Sequence, residues 1–566
     1  MSVSNNKTNI MNHTHGATRS LSHVISSAIL CALALLIVLA PARALAADGT
    51  ITGVSPSTVH TSGGDTITLS GTNFGSIAQV ASNFQHSLVV TESGTVYAWG
   101  SGAQGKLGNG DTADSSVPVA VDASGVMSGK TIVGIAAGAH HSLALASDGT
   151  VFAWGDNVFG QLGDGSGVDS SVPVVVAVVD DIVQVAASAW TSYALAADGT
   201  IYSWGLGDVG QLGNNTTSNS LSPVEATTSG VGAELDGKQV IQIAGATGDD
   251  FVSVLTSEGT VHSWGANSAG QRGTGVVGGS QLVPSAAAGG AIAGKQITQI
   301  ATGAYHVVAL DDEGKVYAWG DNERGQLGEG TQTDSPTPLE MLTGGVIDGK
   351  VIASVAASGF ASYAVTDEGT LYSGGYNLDG QLARDTSPFS EVSVLGAAPV
   401  ENVVQVSGGL SYALAYTSDG HVIAWGANGS GQLGDGTTIG QETPITVNGL
   451  LAPLYNAPTV LVGGVAATNV VLLSDGQITF TAPAHAVGTY DVVVTLADGR
   501  TAQLLGSLTY SGDAVPAPVP APAPDVIPTP PSAGFALAEA KWALVVLACF
   551  VFAGVLVVLA RRPKRD

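Results

Sequence analysis

Two segments carry the G-x-G-x-x-G spacing that lets a strand-to-helix turn approach a pyrophosphate: Gly100-Ser101-Gly102-Ala103-Gln104-Gly105 and Gly205-Leu206-Gly207-Asp208-Val209-Gly210. That chemistry needs a helix after the glycines and a parallel strand before them. Neither pattern flanks these runs, so they read as turn glycines. Gly129-Lys130-Thr131 has the end of a phosphate-binding loop, but Ser124 stands where the first glycine is required. Its Gly-Lys pair recurs at Gly237-Lys238, Gly294-Lys295 and Gly349-Lys350, which makes it a repeat element. His140 and His141 could ligate a metal, yet neighbours on a strand point to opposite faces. No D-x-[DN]-x-[DN]-G calcium loop and no G-x-S-x-G nucleophile elbow occurs. Cys31 and Cys549 are the only cysteines and lie in apolar runs near the two ends, which removes disulfides and thiolate zinc sites from the body of the chain. These residues predict no catalytic set, no cofactor and no metal.

The elements that position these residues follow from a repeat. Trp99, Trp154, Trp204, Trp264, Trp319 and Trp425 each precede a glycine at intervals of about fifty to sixty residues, and Gly374 holds the same frame before the last of them. Each unit continues into Gly-Gln-Leu-Gly or a near copy, as at Gly160-Gln161-Leu162-Gly163 and Gly431-Gln432-Leu433-Gly434. Within a unit, short apolar runs such as Ile132 to Ala137 and His141 to Ala146 are separated by Asp-Gly or Glu-Gly, a dipeptide suited to tight hairpins. Six acidic residues occupy that one turn position: Asp148, Asp198, Glu258, Glu313, Glu368 and Asp419. A run such as Val117-Pro118-Val119 marks a fourth strand. Seven units of four short strands, apolar on both faces, predict an all-β fold with a seven-bladed β-propeller. Small residues such as Ala136-Ala137-Gly138 fit the crowded innermost position.

The frame resembles the regulator of chromosome condensation repeat family, whose signature is A-G-x-x-H-[ST], D-G-x-[VL]-[YF]-x-W-G and N-x-x-G-Q-L-G; the resemblance covers about residues 78 to 450. It implies a seven-bladed ring in which the repeat tryptophans pack between blades. The family histidine stands only at His86, His141 and His306. Unit six departs most, with Gly374 for Trp and Gln381-Leu382-Ala383 closing the loop, so Gly374 and the nearby Tyr376 are candidate binding positions. Trp190, outside the Trp-Gly frame, is a third.

Residues 51 to 75 and 458 to 511 flank the repeat with strand-like runs. Together they resemble an IPT/TIG immunoglobulin-like β-sandwich, through Ser55-Pro56, Gly63-Gly64 and Gly71-Thr72-Asn73-Phe74 before the repeat and Gly463-Gly464 and Thr481-Ala482-Pro483 after it. The expected plan is a signal peptide (1–46), the first part of the sandwich (47–77), the propeller (78–453), the second part of the sandwich (454–512), a Pro-rich stalk (513–540), a transmembrane helix (541–560) and a cytoplasmic basic tail (561–566). A complete C-terminal sandwich with a lone N-terminal strand pair is the alternative.

The ends read as an address and an anchor. Lys7 and Arg19, an apolar stretch from Val24 to Ala40 and Ala44-Leu45-Ala46 have the pattern of a secretory signal peptide. Trp542 to Ala560 carries no charge and is about 28 Å long as a helix, enough to span a bilayer core. Arg561, Arg562, Lys564 and Arg565 follow, which predicts a cytoplasmic C-terminus. Pro516 to Pro531 contributes a polyproline stalk of about 50 Å. Stalk, helix and basic tail resemble a Gram-positive cell-wall sorting signal, but Pro530-Pro531-Ser532-Ala533-Gly534 lacks the Leu and Thr of its motif, so a retained membrane anchor is the preferred reading over cell-wall attachment.

The net charge is −27; between Ala47 and Ala540 ten basic residues face 44 acidic ones, a balance of −34. That excludes binding to a nucleic-acid backbone, which requires clustered cations. The expected protein is a monomeric, non-enzymatic, bacterial surface-anchored binding or adhesion protein that presents a propeller face to an extracellular protein or glycan. An enzyme-inhibitor propeller is the alternative; guanine-nucleotide exchange, implied by the family's nuclear founder, fits the address poorly.

Overall fold

The computed structural model describes residues 50–512, apart from 73–76, 178–180, 229–233, 249, 288, 343–349, 388, 419, 449, 451–457, 475–476 and 496–500. The expected signal peptide, stalk, transmembrane helix and basic tail lie outside the described residues. So do Asn73-Phe74, Gly349 and Asp419. The chain divides into two compact units, Met1–Gly512 and Asp513–Asp566, and all described residues fall in the first.

Seven four-stranded antiparallel sheets follow one another along the chain, each made from consecutive strands. They are blades 1 to 7, at 77–120, 132–175, 182–225, 240–286, 297–340, 352–397 and 403–446. Blade 2 is typical: Ile132–Ala137 innermost, then His141–Ala146, Val151–Gly155 and Ser170–Val175 outermost. Its second and third strands are buried throughout, as a sheet packed between two neighbours requires. Gly149 takes φ +85° in the turn between them, and Asp148 accepts the Thr150 N–H at 3.2 Å. The recurring Gly-Lys pairs meet these same turns: Lys130, Lys238, Lys295 and Lys350 form ion pairs with Asp148, Glu258, Glu313 and Glu368. The element that has the look of a phosphate loop is a staple on the hairpin turn.

The innermost strands line a central channel of about 620 Å³ and would otherwise present an unpaired edge. Glutamines close most of it. Gln79 accepts from Ile135 N (2.9 Å) and donates to Ile135 O (3.1 Å) in the next blade. Gln184 does the same to Ile243 and Gln242 to Ile300, so a side-chain amide stands in for a strand's peptide group.

Blades are joined at one backbone carbonyl, that of the second residue of Gly-Gln-Leu-Gly and its near copies, which is Lys106 in blade 1 and Gln in the others. Trp154 Nε1 donates to Lys106 O (2.9 Å), Trp204 to Gln161 O (2.9 Å), Trp264 to Gln211 O (3.0 Å), Trp319 to Gln271 O (3.0 Å) and Trp425 to Gln381 O (2.8 Å), each from the following blade. Trp99 closes the ring onto Gln432 O at 2.8 Å. All six indoles are fully buried. The last glycine of the motif makes room for them: a Cβ on Gly108, at φ +69°, would sit 2.7 Å from Trp154 Nε1.

Gly374 lies buried in the third strand of blade 6 and offers no binding surface. Met341 and Leu395, both buried, pack in the cluster at the seam where the missing indole would stand. At the end of the same loop Ala383 adopts φ +58°, where the other units have glycine.

Strands from both sides of the propeller make the remaining two sheets. Thr66–Thr72 pairs antiparallel with Gln477–Thr481, and Thr58–His60 runs parallel to Thr501–Ser511. Alternate residues Ile67 and Leu69, Ile478 and Phe480, and Val492 and Val494 enter one shared core with Leu508 and Tyr510. The segment before the repeat contributes three strands, Thr50–Ser55, Thr58–His60 and Thr66–Thr72.

Trp99→Ala is expected to destabilise the ring by ~3–5 kcal/mol, the usual scale for deleting a buried Trp, measured by denaturant unfolding. Amide exchange should accelerate first on both sides of the blade 7 and blade 1 seam. Restoring the family pattern has opposite effects at two sites of unit six. Gly374→Trp should destabilise by ~1–3 kcal/mol through overpacking against Leu395, and Ala383→Gly should stabilise by ~1 kcal/mol through release of left-handed strain; thermal unfolding measures both.

Candidate functional site

An antiparallel meander puts the turns between first and second strands, and the Gly-rich loops between third and fourth, at one end of the ring. The hairpin staples and blade connections lie at the other. Side chains at the first end, the loop face, fall into buried joints and exposed groups.

The family histidines are joints. His86 Nε2 lies 2.9 Å from Ser142 Oγ, His141 Nε2 2.7 Å from Ser192 Oγ and His306 Nε2 3.0 Å from Ser362 Oγ, each across a blade seam. The three hydroxyls donate their single protons to Lys106 O, Gln161 O and Gln326 O. They must therefore accept from Nε2–H, which fixes the neutral tautomer. Nδ1 of all three rings is buried without a partner. Burial pushes His141 and His306 down to about 3 and His86 well below its usual value. His140 and His262 are pushed down to about 4, by burial first and then by nearby Lys106 and Lys238 respectively. Among the described residues no group of three or more His, Cys, Asp or Glu is arranged to hold a metal.

The position just before the histidine column points outward and is aromatic in several blades. His140 stacks on Trp190 with ring centroids 3.8 Å apart, Phe84 lies 5.8 Å from His140, and Phe159 meets Trp190 edge-on at 5.4 Å. Farther round the ring Tyr305 and Phe360 are 6.3 Å apart, and Phe360 meets Tyr376 edge-on at 6.5 Å. The Arg324 guanidinium covers Tyr376 at 5.0 Å and pairs with Glu391 at 2.6 Å. Trp190 and Tyr376 are half-buried members of two aromatic clusters. The same loops expose Val158, Val168, Val276, Val277, Leu378, Phe389 and Ile439.

Phe84, His140, Phe159, Tyr305, Arg324 and Phe360 were not singled out by the repeat pattern. Their signal is aromatic residues in a column outside the signature, at His140, Trp190, Tyr305 and Phe360.

Carboxylates dominate the charge. Among the described residues, every Gly-rich loop on this face except that of blade 4 carries at least one. The cations there are engaged or buried. Lys106 is 2% exposed, donates to Ala139 O at 3.4 Å and is pushed down to about 8 by burial, against the attraction of Asp114 and Asp156. Arg272 is buried, and Arg384 turns inward to Ser373 O at 2.9 Å.

These features define a seven-bladed β-propeller with one aromatic, acidic loop face. The chain matches the RCC1-like domain over residues 54–344 and again over 169–481, and it belongs to that family. The ultraviolet-B receptor UVR8 of Arabidopsis thaliana is 35% identical over 370 residues, 65% of this chain and 69% of that protein. The human E3 ubiquitin-protein ligase HERC2 is 31% identical over 341 residues, 60% of this chain but 6% of the ligase. Among solved structures, human WBSCR16 aligns with a TM-score of 0.54 at 23% identity, covering 69% of this chain and 99% of its own. Yeast RCC1 (Prp20) bound to Kap60 aligns at 0.55 and 20% identity, covering 72% and 90%. Likeness at those identities establishes the fold. No helix among the described residues is long and apolar enough to cross a membrane.

Histidine burial sets a pH dependence. Each ring binds its proton near 6.5 when unfolded and far lower when folded, so the unfolded state takes up more protons between those values. The contribution is complete above about pH 6.5 and is lost as pH falls toward the folded values. The denaturant midpoint should fall between pH 7 and pH 5, and His141→Gln with His306→Gln, less stable at pH 7, should lose less over that interval. An unchanged wild-type midpoint would contradict the buried neutral assignment.

Proposed function

We propose that this chain is a non-catalytic, monomeric binding protein whose loop face docks a macromolecular partner outside the cell. The observation that carries the reading is the pair of aromatic clusters, His140 with Trp190 and Tyr305 with Phe360 and Tyr376, held by rigid blades on one face. Trp, Tyr and Arg in preformed settings supply most of the energy at protein interfaces, and fixing them on a ring lowers the entropy lost on docking. Exposed apolar side chains on the same loops favour a protein over a glycan as partner.

The rest of the reading comes from the sequence. The leader pattern, Pro-rich stalk, uncharged segment from Trp542 to Ala560 and basic tail suit a protein held at the outer surface of a membrane. We read the two flanking sheets as an IPT/TIG-type sandwich into which the propeller is inserted. The cross-pairing of Thr66–Thr72 with Gln477–Thr481 and of Thr58–His60 with Thr501–Ser511 supports that reading. A ring that begins and ends at its staple end leaves the opposite loop face unencumbered by the chain's own connections.

Protease added to intact cells should release the ring and sandwich. The double variant Trp190→Ala with Phe360→Ala should recover about tenfold less cross-linked extracellular protein than wild type, a loss of the order of 1.4 kcal/mol in binding, with an unchanged thermal midpoint. Recovery equal to wild type would remove the loop face from the reading.

A further inference from the structure

At the third residue of Gly-Gln-Leu-Gly one blade differs in kind from the other six. Leu107, Leu162, Leu212, Leu327, Leu382 and Leu433 hold that place with no exposed surface. Blade 4 holds it with Arg272, which is only 7% exposed. Its neighbours keep the seam to blade 5: Gln271 O accepts from Trp319 Nε1 at 3.0 Å, and a Cβ on Gly273 would sit 2.7 Å from the same nitrogen. A guanidinium therefore stands where the ring otherwise packs an isobutyl group.

No group of the described protein balances it. Arg272 N donates to Asn267 Oδ1 at 3.0 Å, but that bond belongs to the main chain. Nε is sealed from solvent without a partner, and among the described residues the guanidinium makes no ion pair. Burial lowers its pKa, with no carboxylate acting against the shift. The other two arginines of the ring are engaged: Arg324 with Glu391 at 2.6 Å, and Arg384 with Ser373 O at 2.9 Å and Ser373 Oγ at 3.2 Å.

A second change points the same way. Two residues farther on, blades 2, 5 and 7 place Asp164, Glu329 and Asp435, each accepting from an asparagine Nδ2 of its own loop. Blade 4 places Thr274 there, and Asn267 Nδ2 donates instead to Val276 O at 2.7 Å. Among the described residues, loop 266–280 is the one Gly-rich loop of this face without a carboxylate. The acid is missing where the cation appears. A buried charge without a partner is costly, and a bound anion removes that cost. The guanidinium fork matches the two oxygens of a carboxylate. The acid excess of the chain, −34 between Ala47 and Ala540, penalises a dianion more than a monoanion.

We propose that Arg272 is the seat of a carboxylate-binding site at the seam of blades 4 and 5, its terminal nitrogens holding the oxygens of a small carboxylic acid anion or of an aspartate side chain. The site does not depend on the loop face being a docking face.

The test uses the full chain, with sodium acetate exchanged for sodium chloride at constant ionic strength. The thermal midpoint should rise saturably with acetate, and carbon-13-labelled acetate followed by NMR titration should bind at least tenfold more weakly to Arg272→Leu. That variant restores the residue of the other six blades, so in chloride it should melt above the wild type. N-acetyl-aspartic acid N-methylamide separates the two sources. Binding at least tenfold tighter than acetate assigns the seat to a protein side chain, and comparable or weaker binding assigns it to a free small acid. Phosphate bound as tightly as acetate at neutral pH, acetate binding retained in Arg272→Leu, or no saturable response to acetate would each overturn the seat.

Discussion

One backbone carbonyl per blade holds the ring together. It belongs to the Gln of Gly-Gln-Leu-Gly, or to Lys106 in blade 1, and at three seams it accepts both an indole N–H and a serine hydroxyl from the next blade. Since every blade is built from consecutive strands, no strand is exchanged to lock the first blade to the last. Closure therefore depends on side chains: Trp99 and Ser87 on Gln432 O, Tyr412 Oη donating to His86 O at 2.6 Å, and Gln405 accepting from Val80 N at 3.2 Å. Such a ring is as strong as a blade seam anywhere else, because the closing seam is made of the same parts. A buried carbonyl that loses both donors incurs the full cost of desolvation.

This explains which parts of the fold were legible in the sequence. The tryptophans, the Gly-Gln-Leu-Gly loops and the acidic turn residues each meet one obligatory requirement, so the repeat shows them and the blades follow. Gly374 was legible as a departure but misread as a possible binding position, because sequence spacing cannot show that Met341 and Leu395 occupy the missing indole's space. The channel glutamines at positions 79, 184, 242, 299 and 405 were visible as letters, but their bond to the neighbouring blade depends on register between strands far apart in the chain.

The loop face was less legible for the opposite reason. Trp190 drew notice by standing outside the frame, and its meaning came only with His140 stacked on one side and Phe159 at its edge. Those three residues come from two blades and two kinds of loop. Their contact is a property of the ring, which sets adjacent blades side by side, and not of any single repeat. The outward column before the family histidine is free to vary because nothing in the joint uses it, and that freedom is what a binding surface requires.

Variation inside the joint carries information too. A repeat protein supplies its own controls, since the same site is built several times with small changes and the copies can be compared at constant backbone. Lys106 replaces a glutamine without disturbing the carbonyl joint, because the joint uses the main chain; its side chain donates instead to Ala139 O of the next blade, within electrostatic reach of Asp114 and Asp156. The equivalent position before blade 5 keeps a glutamine, Gln271, and the same joint forms there with Trp319. An acid excess spread over a surface acts on solubility and long-range attraction alone. Where the acidic loops also hold aromatic rings in place, as Tyr305 and Phe360 are held beside Asp321, the surface discriminates by contact as well as by charge.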